Sequence, residues 1–265
     1  MAVCSDPSLK FLKNLGYNVI RLPREGVEPL SVIGWRSDSA QLLGTLSDLI
    51  TGQPGDLPQS RSGVATDIEG QSSASLKIGV GLNILNGMIS ALGGGTLGAS
   101  VDYTNARKIK FHYENVTAAT VDAIPVGRYL RDGDVDQTNP VSLPYLTGSG
   151  KLLVLVDVLK SNKIKVEFEA SSGSAASLDV PVIANAVGGK VSVDAQHAQS
   201  GFLTFEGTAM LSFGFKCFQV VIDDGDLKMA SVKAGGVFLA SEQEESEPVI
   251  LIGDGTPLSG LVEFG

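Results

Sequence analysis

The chain has 265 residues, 43% of them apolar and 18% charged: enough to bury a core as one large domain or two small ones, and too apolar for wholesale disorder. A net charge of −9 with no basic stripe argues against a nucleic-acid binder, and two cysteines, Cys4 and Cys217, build no disulfide framework. With 32 glycines and 6% aromatics the composition favours turns, strands and small-residue contacts, while two histidines leave little material for a His-based metal site.

The N-terminus has no apolar run of signal-peptide length, and the longest apolar run, Leu152 to Val156, is far below the roughly 18 residues of a spanning helix. A soluble, cytoplasmic protein is the expectation. The opening reads as a helix capped by Ser5 or Asp6, with Pro7 in its first turn and Gly16 at its left-handed exit. Leu9, Leu12 and Leu15 form its apolar face, with Phe11 beside it. Short strands follow at Tyr17 to Leu22 and Ser31 to Trp35. The spacing of Leu42, Leu43, Leu46, Leu49 and Ile50 predicts a second helix over Ser39 to Ile50, capped by Asp38 and stopped by Gly52. Gln53 to Ser62 is a Pro/Gly loop.

Two middle stretches share one design. In the first, Leu76, Ile78, Val80 and Leu82 alternate with Lys77, Gly79 and Gly81, an apolar segment runs to Leu92, and Gly93 to Gly95 follow as a flexible turn. Alternation then returns, with Ile109, Phe111 and Tyr113 opposed by Lys108, Lys110 and His112. The second stretch opens with a hairpin signal at Ser161-Asn162. Its strand sets Ile164, Val166, Phe168 and Ala170 against Lys165, Glu167 and Glu169. A small-residue segment, Ser171 to Gly189, leads to strands near Lys190 to Ala195, Gly201 to Glu206 and Met210 to Ile222. The last of these holds Phe213, Phe215 and Cys217, the cysteine reading as core. An ordinary half-exposed antiparallel sheet with helical crossovers satisfies the same pattern. The fold class is α+β, a twisted antiparallel sheet flanked by short helices.

Catalytic signatures are poor. Gly93 to Gly98 lacks the Lys-Ser/Thr of a phosphate loop. Asp132, Asp134 and Asp136 have calcium-loop spacing, but Gln137 stands where glycine belongs and Leu143 where the bidentate Glu belongs. Asp223, Asp224 and Asp226 around Gly225 form a turn sequence, and neither His112 nor His197 has a sequence partner for nucleophilic catalysis. No catalytic or metal site is expected, and the chain reads as a non-enzyme.

From Ser241 to Gly265 six of the 29 acidic residues and none of the 20 basic ones occur, so the remainder carries −3. An acidic spacer, Ser241 to Pro248, precedes the apolar residues Val249, Ile250, Leu251, Ile252, Leu258, Leu261, Val262 and Phe264. A charged spacer before a sticky segment suggests a tethered peptide docked on the body; a plain final strand is the alternative. The division is therefore a domain over 1–240 and a tail over 241–265.

Cys4, the segment Leu12 to Leu30 (LKNLGYNVIRLPREGVEPL), the two strand–helix–strand stretches and the short apolar tail together resemble the bacterial gasdermins. That resemblance implies a pore-forming protein held inactive by its C-terminal peptide and released by a caspase-like protease during anti-phage defence. It implies a palmitoyl group on Cys4 and no other cofactor. Its partners would be the inner membrane once cut and further copies of itself in the pore; uncut, it would be a cytoplasmic monomer. Leu76, Ile78, Val80, Ile109, Phe111, Ile164, Val166, Phe168, Phe213 and Phe215 would then lie on membrane-inserting strands. The cleavage region would run from Phe238 through Leu239, Ala240, Ser241, Glu242, Glu244 and Glu245 to Glu247. No basic residue follows Lys233, which excludes a trypsin-like cut there. The rival is a soluble α+β binding or scaffold module whose last strand is structural; a hydrolase using exposed carboxylates ranks below both.

Overall fold

Continuous apolar runs and strict alternation, in different parts of the same strands, generate the architecture. The structure, a computed structural model, describes residues 12, 15–36, 39–66, 68, 76–97, 105–147, 150–171, 173–223, 226–233 and 236–237. Among the described residues twelve strands join in one sheet: β1 (Asn18–Arg24), β2 (Ser31–Arg36), β3 (Ser39–Thr45), β4 (Arg61–Val64), β5 (Leu76–Lys77), β6 (Lys108–Glu114), β7 (Thr117–Thr120), β8 (Gly150–Glu169), β9 (Ser192–Asp194), β10 (Phe202–Asp223), β11 (Asp226–Lys233) and β12 (Gly236–Val237). The spine runs β12-β11-β10-β8-β2-β3. On it, β1 and β9 pair with β10, β6 and β7 with β8, β4 with β7 and β5 with β6, all antiparallel. Among the described residues four short helices accompany it: α1 (Ile78–Ala91), α2 (Ala123–Asp132), α3 (Leu143–Leu146) and α4 (Val180–Val187).

Strand β8 is the hub. Its run Leu152 to Leu155 is fully buried on both faces. Leu152 and Val154 join a cluster with Leu46, Leu49, Val126, Leu130 and Leu146, while Leu153 and Leu155 join Ile20, Ile33, Phe215 and Cys217 on the other side. Burial on both faces is why this run does not alternate. Further along, Ile164, Val166 and Phe168 enter the largest cluster and the opposite face is partly solvated, so alternation returns.

Five sequence expectations are overturned. Ser39 to Ile50 is not a helix but β3 followed by a 3-10 turn, Leu46–Leu49. The same leucines serve a strand: Leu42 packs on the Ile33 cluster, and Leu43 on the Val32 cluster. Pairing from Ser31↔Thr45 to Arg36↔Ser39 gives β2 its second partner. Asp38 lies outside the described residues. Thr45 is the N-cap residue instead, and Asp48 in the third position of the turn reaches back to it, accepting from the Thr45 N–H at 2.7 Å and the Thr45 hydroxyl at 2.9 Å, which hold its carboxyl below the usual range.

The strand expected over Leu76 to Leu82 stops at Lys77, because Leu82, Leu85, Met88 and Ile89 recur at helical spacing and bury one face of α1. Gly93 and Gly94 are not a loose turn but its stop. Gly93, at φ +89, donates to Ser90 O, and the Gly94 N–H donates to Ile89 O, the pair of bonds that closes a helix with a left-handed glycine. The hairpin expected at Ser161-Asn162 is absent, since β8 runs straight through it. Likewise, the strands expected at Gly201 to Glu206 and Met210 to Ile222 are one strand, β10, carrying bulges.

Other expectations hold. Gly16 has φ +81 after a turn in which Leu12 O accepts from Leu15 and Tyr17, although Leu15 is exposed rather than part of an apolar face. Asp223↔Asp226 closes the β10–β11 hairpin at the expected turn, and Cys217 is core.

Candidate functional site

The two-faced region is built from β6, the C-terminal half of β8 and the N-terminal part of β10. Register places Ile109 opposite Phe168, Phe111 opposite Val166 and Tyr113 opposite Ile164. Across β8, Val166 meets Leu203 and Ile164 meets Phe205. All eight side chains are at most 4% exposed, covered by Leu82, Leu85, Met88 and Ile89 of α1 and by Ile183 and Val187 of α4. The helices thus roof a continuous apolar surface on three adjacent strands.

The opposite face is a charge ladder. Lys110 pairs with Glu169 and lies 3.5 Å from Glu167; His112 Nε2 is also 3.5 Å from Glu167. Lys163 bridges Glu114 at 3.5 Å and Glu206 at 3.7 Å. Lys165 sits over the Phe202 ring at 4.6 Å, covering it from solvent. Such half-buried pairs contribute modestly to stability, but opposite charges in facing positions favour one register.

A second polar cluster lies outside this region. Asp157, on the N-terminal half of β8, accepts from the Tyr17 hydroxyl at 2.8 Å, and Lys216 stands opposite it on β10 with its ammonium 4.1 Å from the Tyr17 ring. Burial pushes the Asp157 carboxyl above its ordinary range, against the pull of Tyr17 and Lys216.

The expected site residues fall into three groups. Ile109, Phe111, Ile164, Val166 and Phe168 share the roofed apolar face. Leu76 opens the two-residue β5, while Ile78 and Val80 belong to α1, Val80 on its exposed side. Phe213 stacks on Tyr113 at 3.9 Å in the roofed cluster, whereas Phe215 enters the cluster of Ile20 and Ile33. The shift between Ser212 and Gly214 leaves Phe213 in a bulge, which carries the following side chains to the other face. Cys4, Phe238 to Glu247 and the tail residues Val249 to Phe264 lie outside the described residues. Leu203 and Phe205 complete the apolar face; their alternation with Phe202, Thr204 and Glu206 was the available signal.

The carboxylates weighed for calcium are otherwise occupied: Asp132 pairs with Arg131 at 2.7 Å, and Asp136 accepts from Thr138. Among the described residues no group of three or more His, Cys, Asp or Glu is placed to hold a metal ion, and no helix is long and apolar enough to cross a membrane.

A mostly antiparallel open sheet with a few short helices, one of its apolar faces roofed by two of them, is the gasdermin-like fold. A solved bacterial gasdermin from Bradyrhizobium tropiciagri superposes with a TM-score of 0.61 at 18% identity, covering 85% of this chain and 90% of that one. The chain belongs to the Bacterial Gasdermin Family, whose sequence profile it matches over residues 20–227. It is 39% identical over 241 residues to the gasdermin of Vitiosangium sp., covering 91% of this chain and 90% of the relative, and 32% identical over 238 residues to that of Lysobacter enzymogenes, covering 88% of each. The family consists of pore-forming proteins that act by oligomerising at membranes.

Proposed function

We propose that this protein is a caged pore former, released by proteolysis between about Phe238 and Glu247, that assembles in the inner membrane and kills the cell in anti-phage defence. The observation that supports it best is the row Ile109, Phe111, Tyr113, Ile164, Val166, Phe168, Leu203 and Phe205, apolar throughout, backed by charged residues and roofed by the short helices α1 and α4. Membrane strands need about 9–11 residues with one lipid-facing and one water-facing row. β8 and β10, at 20 and 22 residues, exceed that length. Open sheet edges are intolerable in lipid, so many copies must close the wall together.

In this reading the tail 241–265 keeps the roof in place while tethered and can leave once cut. Loss of its six acidic residues also lowers repulsion from anionic lipid. A palmitoyl chain on Cys4 adds the second membrane signal that a single protein surface lacks. Dye release from liposomes, comparing the intact chain with one cut at a protease site engineered near Ser241, tests the reading. Release only after cutting is the expected result; no release from either form, with both folded and Cys4 acylated, overturns it in favour of the soluble binding module.

A further inference from the structure

Midway along β8 the ladder is interrupted on both sides at the same place. On one side β6 pairs with residues 163–169 and β7 with residues 157–160, leaving Ser161 and Asn162 opposite the link between those two strands. On the other side Glu206 pairs with Lys163 and Leu211 with Ser161, so four residues of β10, 207–210, face Asn162 alone. Backbone groups at such a gap need other partners.

Side chains supply them. Asn162 donates from Nδ2 to Gly207 O at 2.9 Å and accepts at Oδ1 from Asn115 Nδ2 at 2.6 Å, tying the β6–β7 link, β8 and the β10 bulge together. The Ser161 hydroxyl, 1% exposed, accepts from the Lys163 N–H at 3.0 Å; its one proton lies between Glu114 O at 2.5 Å and Lys163 O at 2.8 Å. Asn115 holds φ +52, the left-handed conformation that an asparagine tolerates. Gly207 lies under the end of α1, where a Cβ would stand 2.9 Å from Leu92 Cβ and 3.2 Å from Leu92 O.

We propose that Asn162, with Asn115 and Ser161, is a polar latch that fixes the boundary between the body of the sheet and the two-faced half roofed by α1. On one side of it lie β2, β7, β11 and the inner halves of β8 and β10; on the other lie β5, α1, β6 and their outer halves. Which half opens rests on the pore reading; the latch itself rests on the hydrogen bonds and the interrupted ladder. While the latch holds, the bulge at 207–210 stays seated beneath α1 and the long strands cannot straighten through it.

The test uses the full chain carrying Asn162→Ala and, separately, Asn115→Gly, which removes the same bond while suiting a left-handed φ. Hydrogen exchange of the uncut protein should be about five- to tenfold faster at residues 114–116 in both variants, and at 207–211 in Asn162→Ala, which alone also loses the bond to Gly207 O, with β11 and α2 unchanged. After cleavage near Ser241, dye release from phosphatidylethanolamine–phosphatidylglycerol vesicles should be about fivefold faster than for the unsubstituted chain. Unchanged exchange, exchange raised evenly over the chain, or an unaltered release rate from a cut protein that does release dye would each overturn the latch. If the cut unsubstituted chain releases nothing, the pore reading fails, and the exchange experiment alone decides the latch.

Discussion

Two glycines in α1, two residues apart, make opposite predictions from the same helix. At Gly79 an added Cβ would meet nothing within 4 Å, while at Gly81 it would stand 1.7 Å from Ile109 Cγ2 and 3.1 Å from Ile109 Cβ. Replacing glycine by alanine in a helix gains about 0.5–1 kcal/mol where there is room. Gly79→Ala should therefore stabilise the protein by about that amount. At Gly81 the Ile109 methyl could rotate away, but its Cβ cannot, and Ile109 is fully buried in the roofed cluster. An overpacking cost near the top of the usual 1–3 kcal/mol, less the propensity gain, leaves Gly81→Ala about 2 kcal/mol less stable. At about 2–4 °C per kcal/mol for a chain of this size, the two variants should differ in Tm by about 5–10 °C by calorimetry. Because Gly81→Ala lifts the roof from the apolar face, its cut form should also release vesicle dye faster, and that of Gly79→Ala more slowly. Equal Tm values for the two variants would refute the close contact of helix and sheet on which this reasoning stands.

Asp157 gives a pH prediction whose sign follows from its raised pKa: the folded state holds the proton more tightly than the unfolded chain, so this group's contribution falls as pH rises through the folded pKa. Asp157→Asn, which keeps an acceptor for Tyr17, should raise the urea midpoint at pH 7 and lose that advantage below about pH 4, where both forms are neutral. The gain should stay below about 1 kcal/mol, since the carboxylate is partly solvated and Lys216 faces it. Replacing Val249 to Ile252 with serines should make the uncut protein leak in the liposome assay while its circular dichroism is kept; a folded and silent variant would weaken the inhibitory role of the tail. Cys4→Ala should lower dye release by the cut protein without changing its Tm, and intact-mass measurement of the unsubstituted protein should show the acyl addition.

Much of the two-faced region was legible because alternation is a local signal. Lys108 to Tyr113 and Lys163 to Phe168 carry their face assignment in their own spelling, and a sheet with one solvated side reproduces it. The errors arose where two periods fit one stretch. Leu42 to Ile50 matches helical spacing, yet a strand beside β2 uses Leu42 and Leu43 on opposite faces and leaves Leu46 and Leu49 to a 3-10 turn, and only the distant partner decides. Leu76 to Leu82 failed in the reverse sense, with four alternating residues outweighed by the helical pattern that continues to Ile89. Ser161-Asn162 reads as a turn because those residue types make turns; here their side chains bond across an interrupted ladder instead. Helix α2 carries a start signal in Asp122 and Pro125 and a buried face of Val126, Tyr129 and Leu130, but it is only ten residues long and runs into aspartates whose calcium-loop spacing masks it. The role of Cys4 could be read only through the family likeness, since a lone cysteine has no periodicity, whereas the tail stood out by composition, an acidic spacer without Lys or Arg before an apolar segment.

The pairing of β1 with β10 sets Asn18 beside Phe215, joining the beginning of the described sheet to a strand made almost two hundred residues later. On the ribosome, the body therefore cannot close until residue 215 has emerged, however early its other strands are available. At about 5–20 residues per second, residue 241 follows roughly 1–5 s after that point. A body that completes itself late has almost no time alone before its tail arrives. If the tail cages the body as proposed, the order of synthesis limits the interval during which a newly made copy is uncaged.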